Sequence, residues 1–490
     1  SSLPPQKACT MIRYTSEKQQ PLSGFETPFE VSLDENNRWV KLAQVIPWDE
    51  LANGYYSSLN ATQGRPTKDA RLVIGAVIIK HKQCLSDEET ILQIQENMYM
   101  QYFVGLKDFQ RKAVFVPSLF VEIRKRMGED VFDVFEQSII TALETQKQRA
   151  KAKDDHDSDN DNDVEHGRST KEETAVETTT HQGKIIVDAT VVEQVIRFPT
   201  DLSLLNEARE ISERIIDSLY PKTALKKKPR TYRQKARKAY LAIVKCRCPG
   251  KKKYRQGNKH QLQYLRRNLK SIEKLLDSLP GREILLPYRL LRQYWIIRYL
   301  YTQQDEMYKN KTRRCDDRLV SISQPYVRPI IRGKLNKPVE FGAKLSVSLT
   351  GDGIACVDAL RWDAFHEGKD LKTQVEAYKE RHGVYPEKII TDSLYGTREN
   401  RNYLKTLGIH YAGKPLGRPK RQTEENKEQL KQEKKQRQED YRQRIPIEGK
   451  FGQGKNGYGL NRIKAKTART SQAWIRSIFL VMNLLVLYQH

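Results

Sequence analysis

The 490-residue sequence predicts an α/β protein in which helices pack on a mixed sheet, with an all-α domain before the sheet and a basic helical segment inserted into it. Three observations indicate this fold class. Short β-branched runs, at residues 184–192 and 388–391, alternate with longer segments of helical periodicity. The first 150 residues contain several apolar helix patterns, and residues 201–314 are again helical but strongly basic. Strands and helices in this order are typical of a mixed sheet covered by helices.

The composition points to a polyanionic partner. The formal net charge is +26, which makes nucleic acid the first candidate and a membrane surface the second. The longest apolar run, Ile478–Leu487, is interrupted by Asn483 and is shorter than the roughly 18 residues that span a bilayer, so it predicts a buried terminal helix. The six cysteines are scattered, which favours a reducing cytoplasm, and their spacing does not fit a standard zinc knuckle.

Residues 1–150 predict a helical domain. Helical patterns surround Pro47 and continue over Ala70–Lys80. Ser86 then stands as an N-cap, with Glu89 completing a capping box. A row of short helices with basic turns suits DNA binding, but it suits dimerisation equally, and the sequence leaves both roles open.

Two biased segments follow. Residues 151–182 alternate acids with polar residues and predict a disordered acidic linker. In the insertion at residues 201–314, the stretch from Lys222 to Lys274 contains twenty Lys and Arg side chains and one acid, Glu273, with tyrosines interleaved. This composition predicts contacts with the DNA backbone and some stacking. The candidate contacts in the insertion are Lys227, Arg230, Arg233 and Lys252.

Residues 183–200 and 315–490 form the predicted catalytic core, and two aspartates mark its strands. Asp188 lies inside the β-branched run 184–192, where a carboxylate is costly unless it is paired or binds a cation. A hairpin is predicted around the turn Gly351–Gly353. Asp392 ends the strand that begins at Lys388, and a loop and a helix follow it.

The C-terminal stretch 441–455 brings an aromatic, a basic and an acidic side chain into one short segment. Its candidate functional residues are Tyr441, Arg444, Glu448 and Lys455. At about 100° per residue, these four fall within roughly 60° of one face if the stretch is one helix, an arrangement suited to a metal and its surrounding phosphates. Pro446 suits a first helical turn, so the alternative is a helix that begins near Ile445 and leaves Tyr441 outside.

Three acids, Asp188, Asp392 and Glu448, are therefore expected to meet near one point. Like charges at short range raise one another's pKa unless a cation neutralises them. Two Mg²⁺ ions would do so, and with phosphate-binding cations around them they suit in-line displacement at phosphorus.

These motifs together resemble the bacterial insertion-sequence transposases of the DDE class, which have a ribonuclease-H-like core. The motifs are IIVDATVV around Asp188, RGKLNKPVEFGAKLSVS from Arg332, IITDSLYGTREN around Asp392, and the spacing Tyr441-x2-Arg444-x3-Glu448-x6-Lys455, which reproduces the YREK signature of one large subgroup. The N-terminal SDEETILQIQENMYMQYFVGL is similar to the helical domain that precedes this core.

The resemblance implies a function and a set of roles. Asp188, Asp392 and Glu448 would hold two Mg²⁺ ions, with Mn²⁺ as a substitute. The DNA contacts that it implies are Tyr441, Arg444, Lys455, Tyr395, Arg332 and Lys334. A homodimer would act on paired element ends in double-stranded DNA, cleave them and transfer their 3′-hydroxyls to target DNA in the nucleoid of the bacterial cytoplasm. The alternatives are an inactive DNA-binding descendant of such an enzyme and a ribonuclease-H-like nuclease.

Overall fold

The computed structural model describes residues 26, 32–59, 67–157, 181–279, 286–331, 338–417, 423 and 426–489, without the side chains of residues 151 and 153–157. The chain divides into two units. Unit 1 comprises Ser1–Thr190, Leu345–Leu360 and His366–His490, and unit 2 comprises Val191–Lys344 and Arg361–Phe365.

The N-terminal part of unit 1 is helical, as the sequence predicts. Its helices are α1 (Arg38–Val45), α2 (Trp48–Ser57), α3 (Ala70–Lys82), α4 (Asp87–Glu96), α5 (Met98–Phe103), α6 (Leu119–Arg126) and α7 (Glu129–Asp157). Ser86 caps α4 by accepting a hydrogen bond from Glu89 N at 3.0 Å, so the predicted N-cap is confirmed. The Trp39 and Trp48 rings pack edge-on against Phe103, with centroid distances of 5.1 and 5.2 Å. These contacts centre the helical core on large aromatic side chains.

Helix α7 extends further than the sequence indicates. It continues to Asp157, seven residues into the segment predicted as an acidic linker. Residues 158–180, which make up most of that segment, lie outside the described residues.

In the described part of the chain the sheet has six strands, in the order β2–β3–β1–β5–β6, with β2 at Arg328–Ile331 and with β4 also paired to β3. Its strands are β1 (Lys184–Glu193), β3 (Val339–Thr350), β4 (Ala355–Arg361), β5 (Lys388–Thr391) and β6 (His410–Ala412). β3 and β4 form the predicted hairpin, whereas β5 runs parallel to both β1 and β6. Three strands in a meander followed by two parallel strands is the order expected of a ribonuclease-H-like core, so the predicted fold class is confirmed.

Helices cover this sheet. They are α12 (Leu371–His382), α13 (Arg398–Thr406), α14 (Lys427–Arg442), α15 (Ile445–Gly457) and α16 (Ala468–Gln489). α16 is the helix among the described residues that is long and apolar enough to cross a membrane, but 78% of its most apolar stretch is buried. It packs against α3, α6 and α7, so the predicted buried terminal helix is present, and it begins ten residues before Ile478.

Unit 2 contains the inserted helices. They are α8 (Asp201–Leu219), α9 (Arg233–Val244), α10 (Lys251–Asp277) and α11 (Tyr288–Lys309), and a short strand β2 (Arg328–Ile331) pairs antiparallel with the start of β3. Leu205, Leu265 and Ile297 come from three of these helices and are fully buried in one apolar cluster. The exposed faces therefore hold most of the basic residues while the apolar stripes face inward.

A glycine permits the close approach of two strands in unit 2. A Cβ atom at Gly342 of β3 would lie 1.9 Å from the carbonyl oxygen of Val192 in β1. Since the obstacle is backbone, no side-chain movement would relieve the clash, and the position needs glycine.

Candidate active site

Asp188 lies at the middle of β1, the central strand of the sheet. The strand residues on both sides of it are buried, and its own side chain is 14% exposed. Ala189 N donates a hydrogen bond to its Oδ1 at 2.8 Å. Burial raises the pKa of the Asp188 carboxyl, and Asp392 and Glu367 add to the rise against the opposing effects of Ala189 N and Arg444. The surroundings of Asp188 therefore disfavour the charged form of its carboxyl group.

Asp392 reaches the same place from the neighbouring strand. β5 pairs with β1 in a parallel register that ends with Val187 beside Thr391. The next residues are Asp188, in the middle of β1, and Asp392, directly after β5, so the register places the two aspartates side by side. Ser393 Oγ donates to Asp392 Oδ1 at 3.2 Å.

Glu448 comes from α15. Pro446 occupies the first turn of that helix and Arg444 its N-cap, so Glu448 lies where a negative charge is favoured by the helix dipole. Arg444 Nη2 donates to Glu448 Oε1, and Arg444 Nη1 donates to Asp188 Oδ2 at 3.1 Å. One guanidinium therefore joins the helix carboxylate to the strand carboxylate.

Arg444 contacts two of the three predicted catalytic acids, Asp188 and Glu448, and Asp392 also affects its pKa. Burial would lower the pKa of its guanidinium, but Asp188, Glu448 and Asp392 outweigh burial and raise it. The described residues contain no group of three or more His, Cys, Asp or Glu side chains close enough to hold a metal ion. In this arrangement the positive charge among the carboxylates is the arginine's own.

The four residues of the 441–455 stretch do not lie on one helix. α14 ends at Arg442 and α15 begins at Ile445, so the single-helix stripe is wrong and the proline-initiated alternative is confirmed. Tyr441 belongs to α14 and is 66% exposed, with its ring 5.7 Å from Arg444 Cζ. Lys455 is on α15, seven residues after Glu448, and these two share a face.

Two family models match the chain over the elements that build this site. Residues 389–485, which contain Asp392 and Glu448, match a transposase DDE domain. Residues 28–126, the N-terminal helices, match a transposase domain (DUF772). The N-terminal helices and the segment that contains Asp392 and Glu448 are thus each similar to a domain of transposases.

One curated relative is similar to part of the chain. It is an uncharacterized protein, ORF8 in the nfe locus of Rhizobium meliloti, and it is 34% identical over 134 residues. The match covers 26% of the chain and 63% of the relative, so the chain spans less than two thirds of that protein's length. No solved structure matches the chain.

Tyr395 is not at the surface. The prediction of a DNA contact needs an accessible side chain, whereas this one is fully buried beneath the site. Its hydroxyl finds no hydrogen-bond partner among the described residues. Burial raises the pKa of Tyr395, and Glu367 and Asp188 raise it further. Its backbone carbonyl accepts from Asn400 Nδ2 at 2.9 Å, and the same amide donates to Gly368 O at 2.7 Å, so the residue belongs to the frame of the site.

A fourth acid near the site escaped the sequence analysis. Glu367, in the turn Glu367–Lys369 before α12, raises the pKa of Asp188. Asp370, which directly follows this turn, is fixed to β3, because Ser346 Oγ donates a buried hydrogen bond to Asp370 Oδ2 at 2.7 Å. Sequence periodicity does not indicate where the side chain of an acid in a loop lies. The position of Glu367 depends on the hairpin that precedes it.

The predicted DNA contacts of the insertion lie in unit 2. The four residues, all exposed, are Lys227, Arg230, Arg233 and Lys252. Arg233 already donates two hydrogen bonds to Asp217, at 2.8 and 3.0 Å, so it is a weaker candidate than the others. Arg332 and Lys334 lie outside the described residues.

Proposed function

We propose that this protein is a transposase that cleaves the ends of a DNA insertion element with Asp188, Asp392 and Glu448 and joins the freed 3′-hydroxyls to target DNA. The observation that carries the proposal is that Arg444 joins Asp188 to Glu448, while the register of β1 and β5 places Asp392 beside Asp188. Unrelated acids are not usually gathered in this way, because their mutual repulsion must be offset.

The donor set fits divalent metal ions. Carboxylate oxygens are the ligands that Mg²⁺ prefers, and the guanidinium of Arg444 stands where these carboxylates need positive charge. Asp188, Asp392 and Glu448 would hold two Mg²⁺ ions, or Mn²⁺ in their place. When bound, the ions supply Lewis-acid activation of the attacking oxygen and stabilisation of the leaving oxygen.

The remaining residues position the DNA. Tyr441, Arg444 and Lys455 bind the phosphates that flank the cleaved bond, which holds the phosphorus in line with the attacking oxygen. In the first step a water oxygen bonds to phosphorus, the bond to the 3′-oxygen breaks, and that oxygen leaves as a hydroxyl. In the second step this hydroxyl attacks a target phosphodiester, so one ester bond replaces another.

The basic insertion and a second copy complete the proposal. Lys227, Arg230 and Lys252 are exposed on unit 2 and contact the duplex backbone outside the cleaved bond. Two ends must be cut together, and a homodimer on paired ends meets that need.

The test uses a duplex that carries the terminal inverted repeat bracketing the gene. We expect Asp392→Asn and Glu448→Gln each to slow cleavage by about 10³-fold or more while binding stays within about twofold. Glu439→Gln, which alters an exposed acid on neighbouring α14, is the matched control and keeps both activities.

Cleavage by both variants would overturn the assignment. A wild-type protein that binds the repeat but does not cut it with Mg²⁺ or Mn²⁺ would indicate an inactive DNA-binding protein. Preferential cutting of an RNA–DNA hybrid would indicate a nuclease.

A further inference from the structure

A cavity of about 290 Å³ lies in unit 1 among α4, α6 and the start of α16, and its lining includes none of the three predicted catalytic acids. We propose that it is a second DNA-binding site, which takes a phosphate and its attached nucleotide from a DNA strand. The inference rests on the proposed function, because it assumes that DNA is the substrate. The residues that carry it are Lys80, Arg124, Lys464, Lys466, Thr467 and Trp474, none of which the sequence analysis selected.

The charge of the cavity is positive beyond what the protein itself neutralises. Asp87 is shared by Lys80, at 2.9 Å, and by Arg124, which binds it through both terminal nitrogens at 2.7 and 3.0 Å. Lys464 and Lys466 are exposed at the rim and form no ion pair within the described residues. The other acid of the lining, Glu88, is exposed. Lys125 also lines the cavity, but it pairs with Glu122 at 2.8 Å. The other four cationic side chains face two acids, so an anion completes the site.

The cationic side chains of the cavity also disfavour one another's charged forms. Burial lowers the pKa of Lys80, and Arg124 and Lys464 lower it further against the effect of Asp87. Arg124 is 7% exposed, and its Nε–H has no hydrogen-bond partner among the described residues. A bound phosphate would relieve the repulsion and offers acceptors for such donors.

Two helix N-termini add to the same potential. Ser86 caps the ten-residue α4 at the cavity. Thr467 precedes α16 there, and its Oγ1 accepts from Thr470 N at 3.2 Å. Both helix dipoles place their positive ends at the cavity, which favours a phosphate over a neutral ligand.

Trp474 makes the site larger than a phosphate needs. Its ring lies 4.6 Å from Lys80 Nζ and 5.2 Å from Arg124 Cζ. An aromatic wall beside a cationic cluster suits a sugar and base attached to the phosphate, since the base can contact the ring while the phosphate meets the lysines. The occupant is therefore a nucleotide unit of a DNA strand.

The experiment measures the salt dependence of DNA binding by the full chain. We expect Lys464→Gln/Lys466→Gln to weaken binding to the terminal-repeat duplex about tenfold and to reduce the slope of log K against log salt by about 2, because two phosphate contacts are lost. The control, Lys41→Gln/Lys405→Gln, removes two exposed lysines elsewhere in unit 1 and leaves affinity and slope unchanged. Equal melting temperatures of the variants show that folding is intact.

Tryptophan emission separates the sources of the phosphate. We expect the duplex to quench the tryptophan emission of wild type more than that of Trp474→Phe. Thymidine monophosphate or inorganic phosphate at 1 mM, about a thousandfold above a 1 μM binding scale, should leave the emission of both proteins unchanged. Quenching by the free nucleotide alone would overturn the assignment to DNA.

An unchanged affinity and salt slope in the lysine double variant would also overturn the proposal for the cavity. Cleavage by that variant, measured with saturating DNA, keeps the two proposals apart. Intact cleavage with unchanged binding refutes the cavity alone, whereas cleavage that survives Asp392→Asn and Glu448→Gln refutes the proposed function alone.

Discussion

At the scale of single residues, Arg444 supplies the positive charge that offsets the acids of the site when no metal ion is bound. It contacts Asp188 and Glu448, and Asp392 also raises its pKa. Its position at the N-cap of α15 ties the start of that helix to the central strand. Because a guanidinium remains protonated, Arg444 keeps its positive charge, and metal ions compete with it for the same carboxylate oxygens.

Arg444→Ala tests this competition. We expect the variant without metal to lose about 1–3 kcal/mol of unfolding free energy, because Asp188 keeps its burial and loses its charged partner. Mn²⁺ should then raise the melting temperature of the variant more than that of wild type, since binding to the folded state no longer displaces the arginine. Arg442→Ala, an exposed arginine at the end of α14, is the control. Equal Mn²⁺ shifts in Arg444→Ala and wild type would contradict the competition.

At the scale of elements, the sequence predicts best where chemistry is local. Ser86 as an N-cap and Pro446 as a first-turn proline both follow from backbone hydrogen bonding, and both are present. The burial of Tyr395, by contrast, could not be predicted from local sequence. Nothing within its own segment indicates that the side chain is buried beneath the site, because the residues that cover it come from distant parts of the chain.

The glycines of α15 give a prediction about that helix. A Cβ atom at Gly449 or Gly452 would meet nothing within 4 Å, although each glycine costs a helix about 1 kcal/mol relative to alanine. We expect Gly449→Ala and Gly452→Ala to stabilise the free protein by up to that amount and to reduce cleavage, because a DNA strand beside Glu448 needs the bare backbone.

Gly454→Ala is the contrasting variant on the same helix. Its Cβ would lie 3.0 Å from Leu460 Cδ2 and 3.4 Å from Met482 Sδ, so packing explains this glycine and the substitution should destabilise. Thermal unfolding and cleavage of the repeat duplex are the two measurements. Full cleavage activity in both Gly449→Ala and Gly452→Ala would show that DNA does not approach this face.

At the scale of the whole molecule, a buried ionic cluster links α7, α12 and α16. Glu136 of α7 is 6% exposed, 3.8 Å from Arg381 Nη2 and 3.9 Å from Arg476 Nη1. Sequence periodicity does not reveal it, because an acid on an amphipathic helix is ordinarily solvated and only the packed helices show that this one is enclosed.

This cluster predicts a pH dependence. Burial raises the pKa of Glu136 from 4.5 to about 7, despite Arg381 and Arg476. The folded state therefore binds more protons than the unfolded state between these values, and its stability falls as pH rises through that range. Glu136→Gln should remove up to roughly 3 kcal/mol of this fall. The measurement is urea unfolding at pH 4.5 to 7.5, with Glu50→Gln as the exposed control. Parallel profiles of Glu136→Gln and wild type would contradict it.

The separation of the site along the chain bears on how the protein is made. Arg444 and Asp188 contact each other across 256 positions. A nascent chain interrupted before residue 444 carries the basic helices and both aspartates, but it has neither the arginine nor the glutamate. Such a truncated product also lacks α16, which packs against α3, α6 and α7, so both the site and the helical core are complete only after the C-terminal segment has been made.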